Sequence, residues 1–182
     1  MPETVTVVAM DDRKDFHLPF RRALTVKAPN LVDRLIQCYS VEETCSALSG
    51  VRRDEFCILV LDQHVPVAAD AFKTVAHLEA ERAALCESLM DSKGVANSVA
   101  AASKEEIDRI DREIAGCTCC DGGSRVLDYV EPLSPRWRVI WCDFELRCDH
   151  KLASDPRLVV AWKDVDALIE TIKRFAEQGH DS

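Results

Sequence analysis

The chain has no long apolar run, no basic leader and no basic cluster, and each absence removes a class of function. No segment approaches the roughly 20 apolar residues that cross a bilayer, so no membrane contact is expected. The start runs from Met1 to Asp11 and Asp12 without the charged and apolar regions of a secretory signal, and a cytoplasmic protein is expected. Lys and Arg number 23 against 32 Asp and Glu, a net charge of −9. The densest basic spots are the dipeptides Arg21-Arg22 and Arg52-Arg53, and an acidic chain repels phosphate backbones, so no nucleic-acid partner is expected. A glycine-rich phosphate loop is missing too. Met10-Asp11-Asp12-Arg13 stands where it would follow the first apolar block, and carboxylates there repel an unmetallated phosphate. That weakens a nucleotide enzyme. No internal repeat or low-complexity tract is present.

What is present is an ordinary globular composition of 182 residues, 47% apolar and 30% charged. That length suits one core or one domain with a large insertion, and 1–182 reads as a single unit with 68–133 inserted in it. Thr4 to Met10 is a β-branched apolar strand ending at Asp11-Asp12. Asp15 to Lys27 has helical spacing in Phe16, Phe20, Ala23 and Leu24, with Pro19 near its start. Arg34 to Tyr39 is a second strand. Ser40 to Glu43 is a capping box opening a helix that Gly50 ends. Phe56 to Leu61 is the most apolar strand, with Asp62 at its carboxyl end. Apolar strands alternating with helices predict an α/β fold with a parallel sheet covered on both faces.

The middle differs. Residues 68–90 are rich in helix formers, 91–102 read as a turn or frayed segment, and Ser103 to Glu106 is a second capping box before Ile107, Ile110 and Ile114. These predict an antiparallel helical hairpin, ended by Gly116 to Gly123. Its apolar stripe is expected to serve hairpin packing. Trp137 to Cys142 is a fourth strand, Leu158 to Trp162 a fifth, followed by Lys163. A last helix runs from Asp164 to about Gln178.

Asp11-Asp12, Asp62 and Lys163 each follow a strand. In an open parallel sheet the reactive crevice lies at those carboxyl ends. With strand order 2-1-3-4-5 the carboxylates approach one another, and clustered carboxylates favour a hard divalent ion such as Mg²⁺, with Asp11, Asp12 and Asp62 as its ligands. The plainer reading is loop carboxylates that cap helices or face solvent.

The order of elements and these residues resemble the receiver domains of two-component response regulators. In that family an acidic pair follows strand one, a strand-three motif carries the acceptor Asp with a Pro shortly after it, and a Lys follows strand five. Here these read Asp11-Asp12, Leu61-Asp62-Gln63-His64-Val65-Pro66 and Lys163. The resemblance covers about residues 4–66 and 135–178. It implies a flavodoxin-like doubly wound five-stranded sheet, phosphoryl transfer to Asp62 with Mg²⁺, Lys163 on a phosphoryl oxygen, and a histidine kinase and a downstream effector as partners. The family's hydroxyl at the end of strand four is here Cys142, and its Pro after the Lys is here Asp164. No output domain follows the last helix, so output is expected through protein contacts. The alternative is a pseudo-receiver, a binding or adaptor module that is not phosphorylated.

The nine cysteines leave three readings open: a structural zinc site, a redox-responsive cluster, or inert thiols. Cys117 and Cys120 form a Cys-x-x-Cys pair with Cys119 between them. Further zinc ligands would come from Cys142, Cys148, His150 or Cys86. Cys38, Cys45 and Cys57 read as core. His64 reads as a surface loop residue, and His17, His77 and His180 have no evident partners.

Overall fold

The computed structural model of the chain describes residues 5–32, 34–68, 71–91, 97–119, 121–142 and 148–179. Its centre is a five-stranded parallel sheet built from β1 (Thr6–Met10), β2 (Leu35–Cys38), β3 (Cys57–Asp62), β6 (Trp137–Cys142) and β7 (Leu158–Ala161), in the order β2-β1-β3-β6-β7. Every residue of β1 and β3 is buried, which is why both read as unbroken apolar runs rather than alternating ones. Asp62 is the last residue of β3 rather than the first after it, and β7 ends at Ala161, one residue before Trp162.

Helices α1 (Lys14–Lys27) and α7 (Val165–Gly179) cover one face. Phe16, Phe20, Leu24, Leu168, Ile169, Ile172 and Phe175 pack there on Val7, Ile58 and Ile140. Lys27 and Asp166 tie the two helices together at 3.1 Å. A four-residue helix α2 (Pro29–Val32) follows α1 where sequence spacing indicated only a break. The other face carries α3 (Val41–Ser49) and α6 (Gly122–Tyr129), with Val41, Leu48, Val126 and Leu127 on Leu59, Val139 and Trp141. At the start of α3, Ser40 Oγ accepts from the Glu43 amide at 3.1 Å, and the Glu43 carboxylate accepts from the Tyr39 amide at 2.7 Å. That is the capping exchange the sequence predicts, displaced by one residue on the return side.

Residues 66–121 hold the hairpin. Helices α4 (Ala71–Asp91) and α5 (Asn97–Cys117) pack on each other, with Val75, Leu78 and Ile110 buried. Ion pairs flank the seam, Arg82 to Asp111 at 2.6 Å and Arg109 to Glu81 at 4.0 Å. Helix α5 begins six residues before Ser103, so Ser103 to Glu106 is helix interior and not a capping box. The run of alanines before it extends the helix, since Ala is the strongest helix former. Helix α6 was hidden by its opening glycines, and it belongs to the sheet core rather than to the hairpin. Between β6 and β7 the described residues form one 3-10 turn, Lys151–Ser154.

A second, two-stranded sheet joins the hairpin to the main one. Strand β4 (Val65–Pro66) pairs antiparallel with β5 (Thr118–Cys119). The next turn places Gly123 against Trp141, where a Cβ would lie 2.7 Å from Cζ3, 2.9 Å from Cη2 and 3.3 Å from the Asp62 carbonyl oxygen. Trp141 is fully buried, so its ring has nowhere to retreat. Gly123→Ala is expected to cost about 1–3 kcal/mol by overpacking, read as a lower midpoint in urea unfolding, whereas Gly116→Ala, with nothing within 4 Å, is expected to leave that midpoint unchanged or raised.

Candidate functional site

Three strand ends converge at one end of the sheet. The register places Met10 opposite Leu61, so the residues that follow β1 lie beside Asp62. Asp11 is 1% exposed and Asp62 7%, both buried by the strands that carry them. Asp12 is half-buried. Carboxylate oxygens of Asp11, Asp12 and Asp62 lie within 4.8 Å of one another.

Lys163 enters from beyond β7. Its ammonium donates to Asp62 Oδ2 at 2.8 Å and pairs with Asp11 Oδ2 at 2.6 Å, with only 7% of the side chain exposed. The ammonium also lies 5.5 Å from the Phe16 ring centroid. The remaining oxygens take backbone donors: Asp11 Oδ1 accepts from the Arg13 amide and Asp62 Oδ1 from the Gln63 amide, each at 2.9 Å. The Arg13 bond closes a local turn that aims the Asp11 carboxylate inward.

The electrostatics follow from burial. Desolvation, then the Asp62 charge, lifts Asp11 from 3.8 to about 7 against the pull of Lys163. The same two causes lift Asp12 from 3.8 to about 6, with Glu79 of α4 adding to the rise. Burial acts to lower Lys163, but the Asp62 and Asp11 charges outweigh it and hold the ammonium above its ordinary value. Cys142, opposite Asp62 in the register, is 2% exposed. Burial, then the Asp62 and Asp11 charges, pushes its thiol up, so it stays an S–H, a weak donor.

His17 is the site residue that sequence reasoning missed. It is 2% exposed, and its Nε2–H donates to the Asp11 carbonyl at 2.8 Å. Its ring meets Tyr39 edge-on at 4.5 Å, and the Gln37 side chain donates to its carbonyl at 3.0 Å. The acid loop is thereby braced from α1 and β2. The only sequence signal was an apolar helix face with a histidine on it. Beside the triad, Asp12, Arg13, Lys14, Asp15, Val75, Ala76 and Glu79 line a cleft of about 450 Å³ between the acid loop and α4. His64 is exposed.

The described members of the cysteine set lie on different elements. Cys117 ends α5, Cys86 is half-buried on α4, and Cys148 packs on the α3–α6 face. Cys119 contributes its backbone to β5, and Cys120 lies outside the described residues. His150 is engaged at both nitrogens: Nδ1 accepts from the Leu152 amide at 3.1 Å, and Nε2–H donates to Asp128 at 3.3 Å. Among the described residues the one group of His, Cys, Asp and Glu placed to hold a metal ion is Asp11, Asp12 and Asp62. Also among them, no helix is long and apolar enough to cross a membrane. No family model, no curated protein and no solved structure matches the chain.

The raised acids have a defined pH signature without metal. Native Asp12 holds its proton up to about pH 6, whereas the unfolded chain releases it near 3.8. The native state therefore loses stability as pH rises between those values, and the loss is complete above about 7. In chelator, Asp12→Asn is expected to match the wild type below about pH 4. At pH 8 it should be more stable by on the order of 1 kcal/mol, since Asp12 is partly solvated, or about 2–4 °C in Tm. Parallel melting curves across that pH range check it; a constant difference at all pH values refutes the assignment.

Proposed function

We propose that the chain is a receiver-like signalling module of the cytoplasm that accepts a phosphoryl group on Asp62 with Mg²⁺. The observation that carries this reading is the single ammonium of Lys163 shared by two buried carboxylates at strand ends. The fold supports it: counted among themselves, the sheet strands run 2-1-3-4-5, the flavodoxin-like order, whose crevice lies at these carboxyl ends. The donor set supports the ion. Three hard oxygen ligands with Asp12 half open to water suit a cation that keeps several waters. Mg²⁺ supplies charge neutralisation for the incoming phosphoryl oxygens.

In the proposed step an Asp62 oxygen attacks phosphorus, a P–O bond forms, and the bond to the donor's leaving group breaks with its electron pair going to that group. Asp11 and Asp12 hold the ion. Lys163 exchanges a carboxylate for a phosphoryl oxygen and keeps its charge compensated. Cys142 offers only a thiol where a receiver offers a hydroxyl. Output on this reading travels to an effector through the hairpin, because β5 pairs with β4 directly after Asp62 and the Gly122 amide donates to the Gln63 carbonyl at 2.9 Å. A histidine kinase is the donor class the reading implies.

Beryllofluoride with Mg²⁺ is expected to stabilise the wild type. A ligand at a hundredfold excess over Kd contributes about 2.7 kcal/mol, roughly 5–10 °C in Tm here. Asp62→Asn should show no such shift, and Lys163→Ala a reduced one. An equal response in wild type and Asp62→Asn defeats the phosphoryl reading.

The second reading is a pseudo-receiver adaptor, favoured by Cys142. The two separate on one substitution. Under the first, Cys142→Ser supplies a hydroxyl and is expected to enlarge the fluorescence response of the protein to beryllofluoride; under the second, wild type and Cys142→Ser are equally silent, and partner binding survives Asp62→Ala.

A further inference from the structure

The opposite end of the sheet gathers what the sequence scatters. Arg34 precedes β2, Arg52 and Arg53 precede β3, Arg136 precedes β6 with Arg138 inside it, and Arg157 precedes β7. The parallel register aligns these entries, with Cys57 opposite Trp137 and Val139 opposite Leu158. Three loops interlock there: Ser134 Oγ donates to the Arg53 carbonyl, and Arg157 donates to the Leu133 and Ser134 carbonyls at 2.8 and 3.0 Å. The carboxylates paired among the described residues of these loops are Asp54, Glu55, Asp155 and, beside Pro132, Glu131, which Lys151 holds. Among the described residues the six arginines therefore outnumber the carboxylates, a local positive excess in a chain of net charge −9.

Three of the six are consumed within the fold. Arg34 pairs with Glu55 at 3.3 Å, Arg52 clasps Asp54 through two N–H groups, and Arg157 clasps Asp155 through Nε at 2.9 Å and Nη2 at 2.6 Å. Arg53 and Arg138 are held differently. Arg53 Nη1 donates to the Pro132 carbonyl at 3.4 Å. Arg138 Nη1 donates to the Pro135 and Trp137 carbonyls at 2.8 and 3.1 Å, and its guanidinium sits 5.5 Å from the Phe56 ring centroid. Carbonyls orient a guanidinium without cancelling its charge. Neither Arg53 nor Arg138 has an ion pair among the described residues. The Arg138 fork is therefore held in direction and charged, which lowers the ordering cost of binding an anion, and the exposed Arg53 beside it adds a second charge with one weak carbonyl contact to leave.

We propose that this arginine end docks a carboxylate-rich segment of a partner protein, with Arg53 and Arg138 as its anchors. Carboxylates are favoured over a nucleic acid on two grounds. The neighbouring arginines already grip carboxylates fork to fork, so the same geometry is in place. A duplex carries one charge per about 1.7 Å, and Asp54, Glu55 and Asp155 lie among the arginines to repel so continuous a line. The surface is independent of Asp62, which sits at the other end of the strands.

A fluorescein-labelled oligo-glutamate peptide is the probe, with anisotropy read on the full chain at physiological ionic strength. Arg53→Glu is expected to weaken binding about tenfold and Arg138→Gln by a similar factor. Arg22→Glu, on exposed α1, is expected to change it less than about twofold. Melting curves establish that each variant folds. Arg53 is exposed, so Arg53→Glu reads the surface even if Arg138→Gln unfolds. The proposal is overturned if the wild type does not bind the peptide, or if Arg22→Glu weakens it as much as Arg53→Glu. It is also overturned if a duplex oligonucleotide of equal charge binds more tightly. Sedimentation supplies the last outcome: peptide-free self-association lost on Arg53→Glu would make a second copy the occupant and overturn the partner assignment.

Discussion

One ammonium holds the carboxyl end of this sheet together. Asp11 and Asp62 sit on the ends of adjacent strands, both buried, and their like charges raise the energy of the folded state unless a cation stands between them. Lys163 is that cation, and it arrives from the edge strand β7. Strands are spaced by about 4.8 Å, so its stem must pass the end of β6 to reach β3. Cys142 is the residue there, and a small side chain at that point leaves the stem its path. The contact joins the ends of three strands, β1, β3 and β7, across the end of β6, and fixes where their three loops can be. Removing the lysine leaves two buried carboxylates without their compensating cation, and burial first, then the Asp62 charge, already lifts Asp11 to about 7 with the lysine in place.

The same contact frames the chemistry proposed for the site. A divalent ion held by Asp11, Asp12 and Asp62 would draw on two of the carboxylates that the ammonium already pairs with. With the ion bound, the lysine would give up at least one carboxylate, and an incoming phosphoryl oxygen is the natural replacement. The protein's own cation then serves as a placeholder for a ligand's charge. The brace from His17 to the Asp11 carbonyl matters for that exchange, because the carboxylates must hold position while the ammonium moves.

Much of this was legible in the residues. Strands with two buried faces write themselves as unbroken apolar runs, so β1, β3 and β6 are readable within a residue or two, and each ends at a chemically distinct residue. The Ser40 cap was legible because its partner lies three residues away. What failed was local evidence with two meanings. Ser103 to Glu106 has the letters of a cap, but alanine-rich helix precedes it. Gly122-Gly123 has the letters of a loop, yet opens a helix, and Gly123 is there because only glycine clears Trp141 and the Asp62 carbonyl. His17 and the arginine end were invisible for another reason: Asp11 lies only six residues from His17, but it offers a backbone carbonyl that no side-chain pattern marks, while Tyr39, Gln37 and the arginine-bearing loops are brought together by the sheet over long separations.

The link between the hairpin and Asp62 is made almost wholly of backbone. Val65 and Pro66 pair with Cys119 and Thr118, and the Gly122 amide reaches the Gln63 carbonyl. Main-chain bonds depend little on which side chains flank them, but Val65 of the junction is fully buried in the core, and the missing Cβ of Gly123 is what lets α6 lie on the Asp62 carbonyl. A rearrangement at Asp62 that shifted its peptide by a few tenths of an ångström would be felt at once through that contact. The neighbouring Trp141 ring is fully buried, so α6 is the element that would meet such a shift first, and on the proposed reading the hairpin, joined through β5, stands next along that path.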